Sequence, residues 1–261
     1  MKRLDLYLYE KGFVKSRKKA QDLIKSSCVF VNGNVIDKPS YDVSDEDNMT
    51  IDIIDNCPYV SRGGLKLEKV LNDNNFDLIG KVALDIGSST GGFTDCLLQH
   101  GTSKVYAVDS GSNQLDKKLI EDKRVVSFEN YNARNIKYDD FKVKFDYITI
   151  DVSFISQTYI IPNFNNISNE STIVISLIKP QFETTKDKLS KGGILKDVKS
   201  RLGSVNRVID CYEENGFYIQ YFVISPIKGG DGNIEYLACF SRQNKNEKIN
   251  EDYIKKIVRG E

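Results

Sequence analysis

Apolar residues are distributed along this chain in two different rhythms. Between residues 82 and 240 they form short, nearly continuous runs: Val82–Ile86, Lys104–Val108, Val125–Phe128, Tyr147–Ile150, Ile173–Ile178, Tyr218–Ile224 and Ile234–Phe240. Such runs suit strands buried on both faces. Between them the apolar spacing becomes helical, near 92–100, 156–166 and 198–215, and an earlier helix begins with Leu65, Leu67, Val70 and Leu71. Strands alternating with helices predict βαβ units and a parallel sheet. The last two runs lie too close for a helical crossover and should pair antiparallel, which predicts a mostly parallel seven-stranded sheet with one antiparallel strand at its edge.

The first sixty residues follow another pattern. Leu4, Tyr7 and Leu8 form the apolar stripe of a short helix that Gly12 can end. Ser16 suits the N-cap of a second helix, with Ala20, Leu23 and Ile24 on one face. Two short apolar runs then flank Asn32-Gly33, a dipeptide that accepts the positive φ of a type I′ hairpin turn, and Met49 to Ile54 reads as a further strand. A small α+β module thus precedes the α/β domain. The expected boundaries are 1–57 for the module, 58–65 for a linker or hinge around Gly63-Gly64, 66–242 for the large domain and 243–261 for a tail.

Composition excludes several classes. No uncharged apolar run is long enough to cross a bilayer, and Asp5, Glu10 and Lys11 interrupt the stretch a signal peptide would need. The five cysteines are widely spaced without a CxxC, and His100 is the single histidine. Neither a disulfide framework nor a metal site is expected, and a cytoplasmic location fits. The 37 basic and 37 acidic residues give zero net charge. That balance conceals +5 over residues 1–38 and −6 over 39–57. Arg3, Arg17, Lys18, Lys19 and Lys25 in the basic head are candidates for phosphate contacts.

The densest local signal is Asp85-Ile86-Gly87-Ser88-Ser89-Thr90-Gly91-Gly92-Phe93, where a strand gives way to a helix. Glycines there let the backbone approach a ligand, and helix N-terminal amides face the same space. No Lys-Ser/Thr follows, which argues against a triphosphate loop. Asp109 ends the next strand, where a carboxylate can hold ribose hydroxyls. These features favour an adenosine-containing ligand, either a dinucleotide or S-adenosylmethionine. Asp151 and Lys179 fall at strand C-terminal ends, which border the ligand crevice of an open parallel sheet.

Two resemblances narrow the choice. Ser16-Arg17-Lys18-Lys19-Ala20 with Val29-Phe30-Val31-Asn32-Gly33 resembles the S4 domain, a module that binds structured RNA, which adds Ser16 and Asn32 to the candidate RNA contacts. The glycine loop resembles that of FtsJ-type ribose methyltransferases, which often have Pro where Thr90 stands. Joined to an S4 domain, and with Ser61-Arg62-Gly63-Gly64-Leu65-Lys66-Leu67, Asp151-Val152-Ser153-Phe154-Ile155-Ser156, Ile178-Lys179-Pro180-Gln181-Phe182-Glu183 and Gly229-Gly230-Asp231-Gly232-Asn233-Ile234-Glu235, the chain resembles the TlyA family of ribosomal RNA methyltransferases, also named haemolysins. The resemblance implies a Rossmann-like fold, S-adenosylmethionine as cofactor, ribosomal RNA or ribosomal subunits as partner, and methylation of a cytidine 2′-hydroxyl. It matches Lys66, Asp151, Lys179 and Glu235 to a catalytic Lys-Asp-Lys-Glu tetrad.

Within that tetrad Lys179 is expected nearest the hydroxyl, as a neutral amine acting as base. Asp151 and Glu235 would orient the lysines, and Lys66 would hold the hydroxyl or a phosphate. Gly87, Ser88, Ser89, Thr90, Gly91, Gly92, Phe93, Asp109, Asn132 and Asp151 are the expected cofactor contacts. Arg62, in the hinge, is expected to touch RNA or to transmit S4 docking. No membrane, metal or protein partner is expected. The competing readings are a cytolysin, for which Asn250–Glu261 is the one faintly membrane-like stretch, and an RNA-binding protein on an inactive methyltransferase scaffold.

Overall fold

The computed structural model describes residues 2–25, 28–43, 49–53, 57–229, 232–243 and 246–261. In the N-terminal unit β1 (Lys2–Arg3) leads into α1 (Leu4–Glu10), followed by α2 (Arg17–Lys25), β2 (Val29–Val31), β3 (Asn34–Ile36), β4 (Asp42–Val43) and β5 (Ile51–Ile53). The backbone N–H of Lys19 donates to Ser16 Oγ, so Ser16 caps α2 as its chemistry suggests. Asn32 and Gly33 take φ of +51° and +72°, which closes the β2–β3 hairpin. Leu4, Leu8, Ala20, Ile24 and Val29 are fully buried and tie both helices to that sheet.

The large unit contains α3 (Gly63–Asn74), β6 (Val82–Ile86), α4 (Gly92–Gln99), β7 (Lys104–Val108), α5 (Lys117–Ile120), β8 (Val125–Phe128), α6 (Tyr138–Phe141), β9 (Phe145–Ile150), α7 (Phe164–Ile167), β10 (Ser168–Ile178), α8 (Val198–Glu214), β11 (Tyr218–Ile224), β12 (Tyr236–Ser241) and α9 (Glu251–Arg259). Its seven-stranded sheet runs β11-β12-β10-β9-β6-β7-β8. Leu67, Val70, Leu97 and Leu237 fill one face, and Ile148, Phe164, Val205 and Tyr212 fill the other.

Three details correct the sequence reading. The antiparallel strand is not at the edge: β12 inserts between β10 and β11 and pairs antiparallel with both, leaving β11 outside and parallel to the rest. Every residue of β12 is buried, as a central position demands, whereas β11 is partly exposed. The helix expected over 156–166 is divided into single turns, at 157–159 and 161–163, before α7. Pro162 lacks an amide hydrogen to continue a longer helix. Gly63 and Gly64 open α3 instead of forming a hinge, and Gly64 packs so closely on Tyr59 that a Cβ there would lie 2.3 Å from the ring. Asp95 accepts from the Val60 amide at 2.8 Å, and Gln99 donates to the Pro58 carbonyl at 2.8 Å, so the connector is pinned to α4.

Strand register builds the functional end. Ile178 pairs with Tyr236 across the antiparallel β10–β12 ladder, so Lys179, just beyond one strand, meets Glu235, just before the other. Ile86 pairs with Ile150 across β6–β9, which sets Gly87 beside Asp151.

Candidate active site

The turn after β6 is compressed against the end of β9. Gly87 has φ +81°, and a Cβ there would lie 2.2 Å from the Asp151 carbonyl oxygen, so the position requires glycine. Gly91, at φ +95°, faces Leu115 and Leu119 and lines neither of the cavities described below, so its part is packing against α5. Beneath the loop, Asp85 is completely buried. The hydroxyls of Thr94 and Thr149 donate to its carboxylate at 2.7 and 2.8 Å, joining β6, α4 and β9. Burial pushes the Asp85 carboxyl up to about 6 against those bonds. The sequence reading assigned Asp85 no role, although a carboxylate inside the apolar run Val-Ala-Leu-Asp-Ile was the available signal.

Two cavities share Gly87 and Ser89. The larger, about 770 Å³, has apolar walls from Ile86, Val108, Val152 and Ile160, with Asp109 and Asn132 among its polar groups. Asp109 accepts from the backbone amides of Ser89 at 2.8 Å and Gly111 at 2.7 Å, which fixes the carboxylate while leaving lone pairs for further donors. Asn132 caps the next turn by accepting from the Arg134 amide. At the rim stands Phe154, 91% exposed and held at φ +64°, with its ring 5.0 Å from that of Phe182. An exposed aromatic in a sparsely populated backbone conformation is unusual.

The smaller cavity, about 390 Å³, brings together Lys66, Asp151, Lys179 and Glu235, along with Ser88, Thr90, Gly92 and Phe93. Lys66 Nζ and Glu235 Oε2 are 2.7 Å apart and both residues are buried. Lys179 Nζ lies 2.5 Å from Asp151 Oδ1 and donates to Ser153 Oγ at 3.0 Å. Burial opposes both charges of the second pair. The attraction of Lys179 and Lys66 nevertheless holds Asp151 below the usual carboxylate range, and the attraction of Asp151 and Glu235 raises Lys179 above an ordinary ammonium. Both shifts favour the charged forms of the pair. Among the described residues no cluster of three or more His, Cys, Asp or Glu is placed to hold a metal.

The sequence matches the FtsJ-like methyltransferase family over residues 59–242 and the S4 domain over residues 2–48. The chain belongs to the TlyA/hemolysin family of FtsJ-like methyltransferases. It is 46% identical to Hemolysin A of Brachyspira hyodysenteriae, over 91% of this chain and 99% of that protein. It is 35% identical to the 16S/23S rRNA (cytidine-2'-O)-methyltransferase TlyA of Mycobacterium tuberculosis, over 92% and 90% of the two chains. The solved structure of a hemolysin-named protein from Streptococcus thermophilus, 36% identical, superimposes with a TM-score of 0.77 over 99% of this chain and 94% of that one.

Elsewhere in this TlyA-family chain the candidate RNA contacts have mixed placements. Arg3 and Arg17 are half exposed, and both donate to the buried Asp5 carboxylate, which Gln21 also contacts. Lys18 and Lys19 are exposed, with Lys18 Nζ 3.2 Å from Asp22 on the next turn. Asn32 is in the hairpin turn, where its side-chain oxygen accepts from the Thr50 amide. Lys25 ends α2, and its side chain lies outside the described residues, as do Asp45, Glu46, Asp47 and Asp55 of the acidic strip. Arg62 is not a surface linker residue: it is only 5% exposed and lines the smaller cavity.

Proposed function

We propose that this chain transfers a methyl group from S-adenosylmethionine to the 2′-hydroxyl of a cytidine in ribosomal RNA. The observation that carries the reading is the meeting of Lys66, Asp151, Lys179 and Glu235 in a cavity that shares Gly87 and Ser89 with a larger, apolar-walled one. The larger cavity suits an adenosine, whose base would lie against its aliphatic side chains and whose ribose hydroxyls Asp109 would hold. Gly87, Ser88 and Ser89 lie where the two cavities join and would carry the methionine portion, with Asp151 alongside. The sulfonium supplies an already activated methyl group, leaving the protein to orient a nucleophile and remove its proton.

Lys179 would take that proton. To do so it must first lose its own, and the positive charge of S-adenosylmethionine, if held by Gly87 and Asp151, would lower its proton affinity by like-charge repulsion. Lys66, held by Glu235, supplies positive charge for the oxyanion developing on the ribose. The exposed Phe154 ring, backed by Phe182, offers a face on which an unstacked base can lie. The S4 unit, taken as residues 1–57, supplies RNA affinity, and the catalytic unit begins with the connector packed on α4.

Lys179→Ala tests the assignment. Binding of S-adenosylhomocysteine, followed by calorimetry, should stay within about twofold. Transfer of labelled methyl to unmodified ribosomal RNA should fall by roughly 10²–10⁴-fold, the span of general acid–base contributions. Near-wild-type turnover would remove Lys179 from the chemistry.

A further inference from the structure

Charge is unevenly satisfied in the smaller cavity. Lys66 is paired with Glu235 and Lys179 with Asp151. Arg62 shares the cavity, is 95% buried, and its Nε and Nη1 make no hydrogen bond among the described residues. Burial pulls the guanidinium down to about 10, against the through-space attraction of Cys28, Cys57, Glu235 and Asp37. Leaving buried N–H donors on a cation unpaired is costly, and a side chain retained in that state calls for an explanation, such as a bound anion.

The guanidinium also meets an aromatic ring. Its carbon sits 5.0 Å from the centre of the Phe30 ring, which projects from β2 of the S4 unit. A cation–π contact of this kind anchors the guanidinium without consuming its hydrogen-bond donors. Asp37 and Lys228, both exposed, border the same cavity. A guanidinium lining a polar cavity is complementary to an oxyanion. A phosphate of the nucleic acid and the carboxylate of the methyl donor share that chemistry. The approach of Phe30 from the S4 side favours the phosphate, and the Asp37 carboxylate on the same wall works against any anion.

We propose that Arg62 is an internal phosphate clamp between the two units, seating the RNA backbone next to the ribose that is methylated. This rests on the function proposed above and assigns Arg62 a positioning role outside the proton transfer.

The test uses the full chain with Arg62→Gln, Arg62→Lys and Phe30→Leu, each checked for an unchanged melting curve, and with ribosomal RNA transcribed in vitro. For Arg62→Gln the affinity for S-adenosylhomocysteine should be unchanged. KM for RNA should rise about 10- to 100-fold, as expected for a hydrogen-bonded charge, with kcat nearly constant. The slope of log affinity against log salt should shrink by about 1. Arg62→Lys should recover only part of the loss, and Phe30→Leu should weaken RNA binding with Arg62 intact. Loss of S-adenosylhomocysteine binding with RNA affinity preserved would assign the anion to the donor's carboxylate and overturn the proposal. No change in either ligand would overturn it as well. If the wild-type chain methylates nothing and Arg62→Gln still lowers RNA affinity and the salt slope, the clamp stands and the catalytic reading fails.

Discussion

At the scale of single residues, the site depends on how burial and partners divide protons between groups a few ångströms apart. Lys179 is raised by Asp151 and Glu235, so the neutral amine that can accept a proton grows as pH rises. Single-turnover methyl transfer should therefore climb close to tenfold per pH unit between about pH 6.5 and 8.5, below the lysine's titration. A flat profile in quench-flow measurements would exclude Lys179 as the base. Asp85 is shifted in the unfavourable direction for a buried acid. Its folded carboxyl titrates near 6, against 3.8 for the free group, so the stability it permits is fully present below pH 4 and is lost as pH rises through 6. At pH 7 this amounts to about 3 kcal/mol as an upper value. Asp85→Asn can still meet the Thr94 and Thr149 hydroxyls, so it should raise the melting temperature at pH 7 and flatten its decline between pH 4 and 6. A lower melting temperature at pH 7 would show that the carboxylate stabilises its own burial.

The elements were legible wherever burial was uniform along a run. The strands Val82–Ile86, Lys104–Val108, Val125–Phe128 and Tyr218–Ile224 stand where the apolar runs put them. Strand order was not legible, because β12 reaches its interior place through pairing with β10, a partner far away in sequence. Asp151 and Lys179 were recoverable as residues at strand ends, and Lys66 and Glu235 through the family resemblance, while Phe154 stood in a matched motif without a role of its own, because no periodicity reports its exposure and positive φ. The tail shows the same limit. Its apolar residues looked faintly membrane-like, yet in α9 Ile254 and Val258 are buried in the core that α8 and β11 share, and Arg201 donates to the Val258 carbonyl. No helix among the described residues is long and apolar enough to cross a membrane. Ile254→Ala should cost about 2–4 kcal/mol of unfolding free energy, the usual range for a buried aliphatic truncation. A denaturant midpoint equal to wild type would mean that α9 leaves the surface in solution and that its apolar face is free.

Across the whole molecule, the zero net charge describes no single surface. The basic head is real, but part of it is used internally: Arg3 and Arg17 converge on Asp5 between α1 and α2, and their hydrogen bonds hold its carboxyl well below the usual range, against the opposing effect of burial. What remains facing outward on α2 includes Lys18 and Lys19. A polyanion samples charge over roughly 8–10 Å at physiological salt, so such a patch governs encounter more than the total does. Lys18→Glu combined with Lys19→Glu should lower RNA affinity whatever the sequence and reduce the salt slope by about 2, one for each lost phosphate contact. Both positions are remote in sequence from the glycine loop and line neither of the cavities assigned to cofactor and chemistry. S-adenosylhomocysteine affinity should therefore not move. Methylation at saturating RNA should approach the wild-type rate, because the substitutions weaken capture and leave the tetrad untouched. Filter binding from 50 to 300 mM salt, paired with calorimetry on the cofactor product, separates these effects. An unchanged salt slope would place the RNA on another face of the S4 unit, and a fall in the saturated rate would mean that α2 orients the RNA as well as attracting it.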